Sequence, residues 1–465
     1  MLTNRQLVLW IACLSAAAMG IRNFEQGLST DAPLYANIAR NAVASGEWFR
    51  LDSGIPHFVP FAEHPHFFFW ILGAVFKILP AADWSARVPG HLFYFGFLTL
   101  FAFYLRRLAD LKTACWAVLL LWSWFRVSNF FSNVYPDPAL LFFGFASTVL
   151  FDLALEKRKI ALAALAGFSF GLCLLTKGFA AAGFAAPVVF LWILDLSARP
   201  TDWKRSLANA GTALLSAGAV FGAYALAIHF SSAPDFLQLY WDRQMTNRLA
   251  PAWQIGGLIH WRGWGAMGKD TYQLCWLMPL IFTRWKQAKR CWLPVVLFLS
   301  YSFLYASSQL MGTQYWLTVL PWTAWMIADG VFSRLPVSPR RLAIVTGSLS
   351  LLAIFLVQYI PVNTRRLQPP QIVPLVQAAA ANAPERSPIL EVPPHELNFL
   401  GASRLAWYTG LRIRYAHNLQ ELSPETRAET LYLFSHAEAA KLIKSRGYCP
   451  EATREGETLW IRCGS

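Results

Sequence analysis

The chain has 465 residues, 56% hydrophobic and 14% charged, whereas soluble globular domains carry about 25% charged residues, so an ordinary water-soluble fold is excluded. Its formal charge of +14 does not mark a nucleic-acid binder, because Lys and Arg stand in short clusters between apolar runs and not on one face or tail. The seven cysteines include no CxxC pair, which argues against a metal cluster.

Apolar runs suited to crossing a bilayer, about 20 residues each, recur from the N-terminus to residue 361. The predicted spans lie near 6–22, 88–105, 113–130, 139–155, 160–176, 179–196, 207–229, 272–283, 291–308, 315–332 and 342–361, eleven in all. The start, MLTNRQLVLWIACLSAAAMG, reads as a signal-like segment retained as the first span. Basic clusters fall at 106–112, 156–159, 199–205, 284–290 and 334–341, and the intervening turns 129–138 and 307–314 contain no Lys or Arg. By the positive-inside rule the clusters are cytoplasmic. Residues 67–80, FFFWILGAVFKILP, are short for a span and fit an interfacial or re-entrant helix; counted as a span, they would turn every later cluster outward.

The expected fold class is therefore an α-helical polytopic membrane protein of the bacterial inner membrane, with a small C-terminal α/β soluble domain. Residues 1–361 form the transmembrane part, with interfacial helices in an outward loop at 23–87. Residues 362–465 form the periplasmic domain, with a helix-like VPLVQAAAANA, a strand-like PILEVP, an amphipathic HAEAAKLIKSRG and a final strand ETLWIRC. Cys449 and Cys463 flank the hairpin-like REGET and could pair in an oxidising compartment; two free thiols are the other reading.

The first outward loop concentrates the chemistry. Ser29-Thr30-Asp31-Ala32-Pro33 is a helix-start signal and Gly46 a stop. The helix between them predicts Leu34, Tyr35, Ile38, Ala42 and Val43 on one side and Asn37, Arg40 and Asn41 on the other, as in a helix lying on the membrane surface. Asp31 reads equally as a cap or as a carboxylate acting on an acceptor hydroxyl. A helix N-terminus stabilises the ionised form and weakens it as a base, so orienting the acceptor is open as well.

Three cations stand near outward ends of spans: Arg87, Arg126 and Lys177. A cation in a span costs about 2.5–3.5 kcal/mol on insertion scales and calls for a partner. A lipid-linked phosphate would serve; snorkelling to headgroups is the alternative. Gly167 and Gly171 have the GxxxG spacing of close helix packing. Asp137, in Tyr-Pro-Asp-Pro, is an outward acid or a cap. Glu63, His64 and His66 leave a divalent metal open, though three residues so close rarely make a whole site.

Taken in order, these residues resemble the lipid-dependent GT-C glycosyltransferases, the group of dolichyl-phosphate-mannose protein mannosyltransferases and the bacterial aminoarabinose transferase of lipid A. Asp31, Tyr35, Ala36, Ala39, Gly46, Glu47 and Trp48 are similar to that family's acid pair, Tyr, small-residue helix and Gly-acid-Trp. His64-Pro65-His66-Phe67 with Trp70, Ala86-Arg87-Val88-Pro89, Asp137, Leu175-Thr176-Lys177-Gly178, and Ser307-Ser308 with Tyr315 and Leu320-Pro321 resemble its later motifs. Ala32 stands where the family has a second acid, and His64 and His66 where it has Lys and Pro.

The resemblance implies inverting transfer of a sugar from a polyprenyl phosphate to lipid A, another glycan or a protein outside the cytoplasm. Asp31 would be the catalytic residue. Arg87, Lys177, His64 and Arg126 would hold the donor phosphate, and Tyr35, Glu63, Asp137 and Tyr315 would face the acceptor or substrate. No cofactor is assigned, a divalent metal being the lesser reading. A transporter or flippase, or a polymerase, of lipid-linked saccharides is the alternative function; a transporter would favour internal repeats, and none is evident.

Overall fold

The computed structural model describes residues 27–28, 30–55, 59–123, 127, 130, 133–246, 292–306, 318–342, 344–345, 347–348, 352, 373–374, 377, 389–391, 399–411, 413–415, 431–434, 441, 444–445, 447–454 and 457–462. They fall into two compact units. One comprises Met1–Phe24, Ala62–Phe68 and Arg87–Pro361; the other comprises Glu25–Phe61, Phe69–Ala86 and Val362–Ser465. Of the loop at 23–87, residues 25–61 and 69–86 fall in the second unit and residues 62–68 in the first.

The first unit is a polytopic helical membrane bundle. Its described helices are α3 (Asp83–Leu108, whose first residues belong to the other unit), α4 (Leu111–Ser123), α5 (Asp137–Lys157), α6 (Ile160–Lys177), α7 (Ala185–Ala198), α8 (Trp203–His229), α9 (Phe236–Trp241), α10 (Leu293–Ala306) and α11 (Leu320–Gly330). Four helical runs among the described residues are long and apolar enough to cross a membrane: Asp83–Leu108, Asp137–Lys157, Ile160–Ala198 and Pro200–His229. The third is broken by a 3-10 segment, Gly178–Phe184, so the reading of two spans there, 160–176 and 179–196, is matched by α6 and α7. The segment at 67–80 forms α2 (Phe67–Ile78), whose 12 residues rise only about 18 Å, well short of a bilayer core of about 30 Å. The spans predicted at 6–22 and 272–283 lie outside the described residues.

Side-chain contacts fix the helix directions. Lys177 meets Asp137, Cys173 donates to the Leu140 carbonyl and Ser169 to that of Phe143, so α5 and α6 are antiparallel. The row Phe93–Phe143, Phe97–Phe145, Tyr104–Asp152 and Arg107–Glu156 makes α3 parallel to α5. A Cβ on Gly167 would lie 1.9 Å from the Ala213 carbonyl oxygen, and one on Gly171 would lie 2.6 Å from Val220. Helices α6 and α8 therefore run parallel at a spacing only glycine allows. Trp322 of α11 is fully buried between Phe97, Phe101, Phe145 and Phe184 at centroid separations of 5.4–6.1 Å.

These directions bring four of the basic clusters to one end. Arg107 pairs with Asp152 and Glu156, Arg158 with Asp195 and Asp202, and Lys112 bonds the Leu335 carbonyl. Residues 106–112, 156–159, 199–205 and 334–341 thus share an end; 284–290 lies outside the described residues.

The second unit joins the loop to the C-terminal residues. A five-stranded sheet has the order β2-β1-β3-β5-β4, with β1 (Ile389–Glu391), β2 (Ile413–Tyr415), β3 (Leu431–Phe434), β4 (Tyr448–Arg454) and β5 (Glu457–Arg462). Strand β1 is parallel to β2 and β3, while β5 is antiparallel to β3 and β4. Helix α12 (Phe399–Thr409) makes the crossover that a parallel β1–β2 pair requires. Cys449 in β4 is disulfide-bonded; Cys463 lies outside the described residues.

Helix α1 (Ala32–Ser45) begins and ends where the sequence predicts, with Pro33 in its first turn and Gly46 closing it at φ 78°. Its polar side does not lie open at a membrane surface. Asn37 is buried and donates to the Ser53 carbonyl, Asn41 donates to the Asp52 carbonyl, and Arg40 reaches α12. The amphipathic pattern is real, but protein backbone covers the polar stripe.

Candidate functional site

In the helical unit the pieces gather at the end away from the basic clusters. Helix α5 starts there with Asp137 and α6 ends there with Lys177. Their side chains form a buried ion pair, Nζ to Oδ1 2.5 Å, at 7% and 2% exposure. Each charge suits its helix terminus, a carboxylate at an N-terminus and an ammonium at a C-terminus. Pro136 is the N-cap of α5, and Asp137 in the first turn bonds Lys177, so the capping reading gives way to the pair. Part of the site reading shifts in consequence: Lys177 and Asp137, assigned by sequence to donor and acceptor sides, share one pair.

Gly178 follows at φ 56°, and a Cβ there would fall 1.8 Å from the Tyr240 hydroxyl oxygen. That oxygen accepts a hydrogen bond from the Phe179 amide at 3.1 Å. The chain can leave α6 directly beneath a phenol only because residue 178 has no side chain. Arg87 lies in the first turns of α3, at 2% exposure, and the parallel course of α3 and α5 puts it at the Lys177 end.

The histidines are packed. His66 is fully buried, its Nδ1 2.7 Å from the Tyr224 hydroxyl and its ring edge-on to Phe236 at 4.2 Å. His64 is buried as well. Glu63 accepts a hydrogen bond from Gln244. Among the described residues no three His, Cys, Asp or Glu side chains gather as metal ligands would. Tyr224, Phe236, Tyr240 and Gln244 are participants the sequence did not single out, because a lone Tyr or Gln near an apolar helix carries no charge or spacing signal. Arg126 and Tyr315 lie outside the described residues.

In the other unit Asp31 immediately precedes α1, with φ −78° and ψ −10°, and its side chain makes no capping hydrogen bond. Side-chain capping goes with an extended backbone at that position, and the Asp31 backbone is helical. Thr30 before it takes φ 55°, a left-handed conformation unusual for a β-branched residue. Tyr35 is buried edge-on to Phe61 at 6.2 Å and Phe69 at 5.8 Å. The motif residues Trp48 and Trp70 meet, Nε1 of Trp70 donating to the Trp48 carbonyl at 2.8 Å.

Comparison with known proteins bears on both units. Residues 63–225 match the model of the family described as dolichyl-phosphate-mannose-protein mannosyltransferase. A curated relative, the undecaprenyl phosphate-alpha-4-amino-4-deoxy-L-arabinose arabinosyl transferase of Erwinia tasmaniensis, is 25% identical over 284 residues, 53% of this chain. The chain spans about half of that relative's length, 49%. Among solved structures, ArnT from Cupriavidus metallidurans bound to undecaprenyl phosphate superposes with a TM-score of 0.71 at 12% identity, covering 100% of this chain and 99% of that one. The archaeal oligosaccharyltransferase AglB from Archaeoglobus fulgidus, in complex with an inhibitory peptide and a dolichol-phosphate, gives 0.51 at 12% identity, covering 88% and 64%. At such identities the likeness is one of fold.

Proposed function

We propose that this protein is a membrane glycosyltransferase that moves a sugar from a polyprenyl-phosphate donor to a hydroxyl acceptor, a glycan, lipid A or a protein, with inversion at the anomeric carbon. The observation that carries the reading is the buried Lys177–Asp137 pair at the end where Arg87 lies and away from the basic clusters. With those clusters cytoplasmic, Lys177 and Arg87 stand at the outer leaflet of the bacterial inner membrane, and the C-terminal residues lie in the periplasm. The relative that uses undecaprenyl phosphate supports the same donor class.

In the reaction the acceptor oxygen bonds to the anomeric carbon, and the bond from that carbon to the phosphate oxygen breaks. The acceptor's proton passes to Asp31, and polyprenyl phosphate departs with one more negative charge. Lys177 and Arg87, with His64 and Arg126, stabilise that charge as it develops; Asp137 keeps the Lys177 ammonium in place. Tyr35, Glu63 and Tyr315 shape the substrate side.

The test is sugar release from a labelled polyprenyl-phosphate donor by purified Asp31→Asn and Lys177→Ala enzyme. Transfer is expected to fall about 10²–10³-fold in both, leaving a measurable rate, with the donor still bound by Asp31→Asn. Wild-type transfer rates in both variants would reject the site.

A further inference from the structure

The unit that holds Asp31 contains a latch built from residues more than three hundred positions apart. The Tyr408 hydroxyl accepts a hydrogen bond from the Leu28 amide at 2.7 Å and donates to Asp83 Oδ2 at 2.8 Å. Trp407 Nε1 donates to the other oxygen, Asp83 Oδ1, at 2.6 Å. Arg40 of α1 donates to the carbonyls of Ala406 and Trp407 and lies over the Trp407 ring, 5.1 Å from its centroid. Phe76 of α2 stacks on the same ring at 5.9 Å and 27°.

The last turn of α12 therefore grips both flanks of the turn that carries Asp31: Leu28 upstream and α1 downstream. Leu28 is fully buried. Between the two grips Thr30 is held left-handed and Asp31 helical. A left-handed β-branched residue persists only where its surroundings over-determine it. If the turn relaxed, Asp31 could adopt the extended backbone of a capping residue, and its carboxylate would swing to the α1 amides, where it is a weaker base and points away from an acceptor.

We infer that Tyr408, oriented by Asp83, is a positioning residue that keeps the Asp31 carboxylate out of the α1 cap and available to the acceptor hydroxyl. The inference rests on the reading of Asp31 given above.

A double-mutant cycle on the full-length enzyme, using a labelled polyprenyl-phosphate donor, separates the two ideas. Tyr408→Phe removes both hydrogen bonds and leaves the ring; kcat is expected to fall on the order of 10-fold, the equivalent of two modest hydrogen bonds, with the donor KM unchanged. In an Asp31→Asn background the same change should cost nothing further, because the group it positions is gone. A merely structural role would instead multiply onto Asp31→Asn, and that result, or a wild-type kcat for Tyr408→Phe, overturns the inference. Should Tyr408→Phe fail to fold, Trp407→Phe keeps the stacking and loses only the bond to Asp83; a loss of about 3-fold with the same non-additivity is expected, and additivity again overturns the inference. If Asp31→Asn transfers sugar at the wild-type rate, the reading of Asp31 itself has failed, whatever Tyr408 does.

Discussion

The two units satisfy several of their charges in different ways. In the helical unit three cations meet carboxylates, Lys177 with Asp137, Arg107 with Asp152 and Glu156, Arg158 with Asp195 and Asp202, while Lys112 takes a carbonyl. In the other unit charge meets backbone and neutral side chains: Arg40 on the carbonyls of Ala406 and Trp407, Asp83 on a phenol and an indole. The difference follows from what each helix has to spare. A spanning helix consumes its own backbone groups internally, so a cation within it must find an anion or a ligand. Loops and helix ends keep carbonyls and amides to give, so a guanidinium or carboxylate there can organise a turn without a counter-charge. A site that is to take up a phosphate therefore suits the first unit, and a site that is to hold a carboxylate at a set angle suits the second.

Breaking the Lys177–Asp137 pair should give the largest effect. Lys177→Ala leaves a buried carboxylate uncompensated and should cost about 3–5 kcal/mol in thermal unfolding, with transfer down about 10²–10³-fold. Replacing both partners, Asp137→Leu with Lys177→Met, should return the stability to near wild type while transfer stays lost. Recovery of both would show that the pair serves the fold alone.

Next is Gly178→Ala, which places a methyl against the Tyr240 hydroxyl at a left-handed position. A loss of about 1–3 kcal/mol is expected, partly relieved by Tyr240→Phe; denaturation in detergent would measure both. In the other unit Arg40→Ala should cost about 1–2 kcal/mol by uncovering the carbonyls at the end of α12, and limited proteolysis within 399–411 should speed up accordingly.

The smallest effect is a pH dependence. Burial first, then the Asp83 carboxylate, raises the Tyr408 phenol above its ordinary value of 10.0. Above pH 10 the unfolded phenol has lost its proton while the folded one keeps it, so the unfolded state binds fewer protons and stability falls as pH rises. Below pH 9 this contribution is constant. Thermal unfolding between pH 9 and 11 should show the decline, and Tyr408→Phe should remove its share of it.

What was readable in the chain follows the same division. The spans at 88–105, 139–155, 160–176 and 207–229 are local facts of composition, and α3, α5, α6 and α8 occupy them. The limits of α1 were readable too, because a helix start at Asp31-Ala32-Pro33 and a glycine stop at 46 are local chemistry. Pairing was not. Asp137 and Lys177 are 40 positions apart, and only the register of α5 against α6 shows that each is the other's partner. Arg40 and Asn37 were assigned to a membrane surface because a polar stripe on a helix looks alike whether water or a distant backbone covers it. No composition rule points from Leu28 to Tyr408.

That last separation, 380 positions, also sets an order of events during biosynthesis. At about 5–20 residues per second, a ribosome needs roughly 20–80 s to travel from one member of the bond to the other. For that interval Leu28 and its neighbours have emerged without the tyrosine that anchors them, so the nascent protein acquires its membrane segments before it can arm the turn at Asp31. On the reading of Tyr408 given above, the site at Asp31 cannot be complete before that tyrosine has been made.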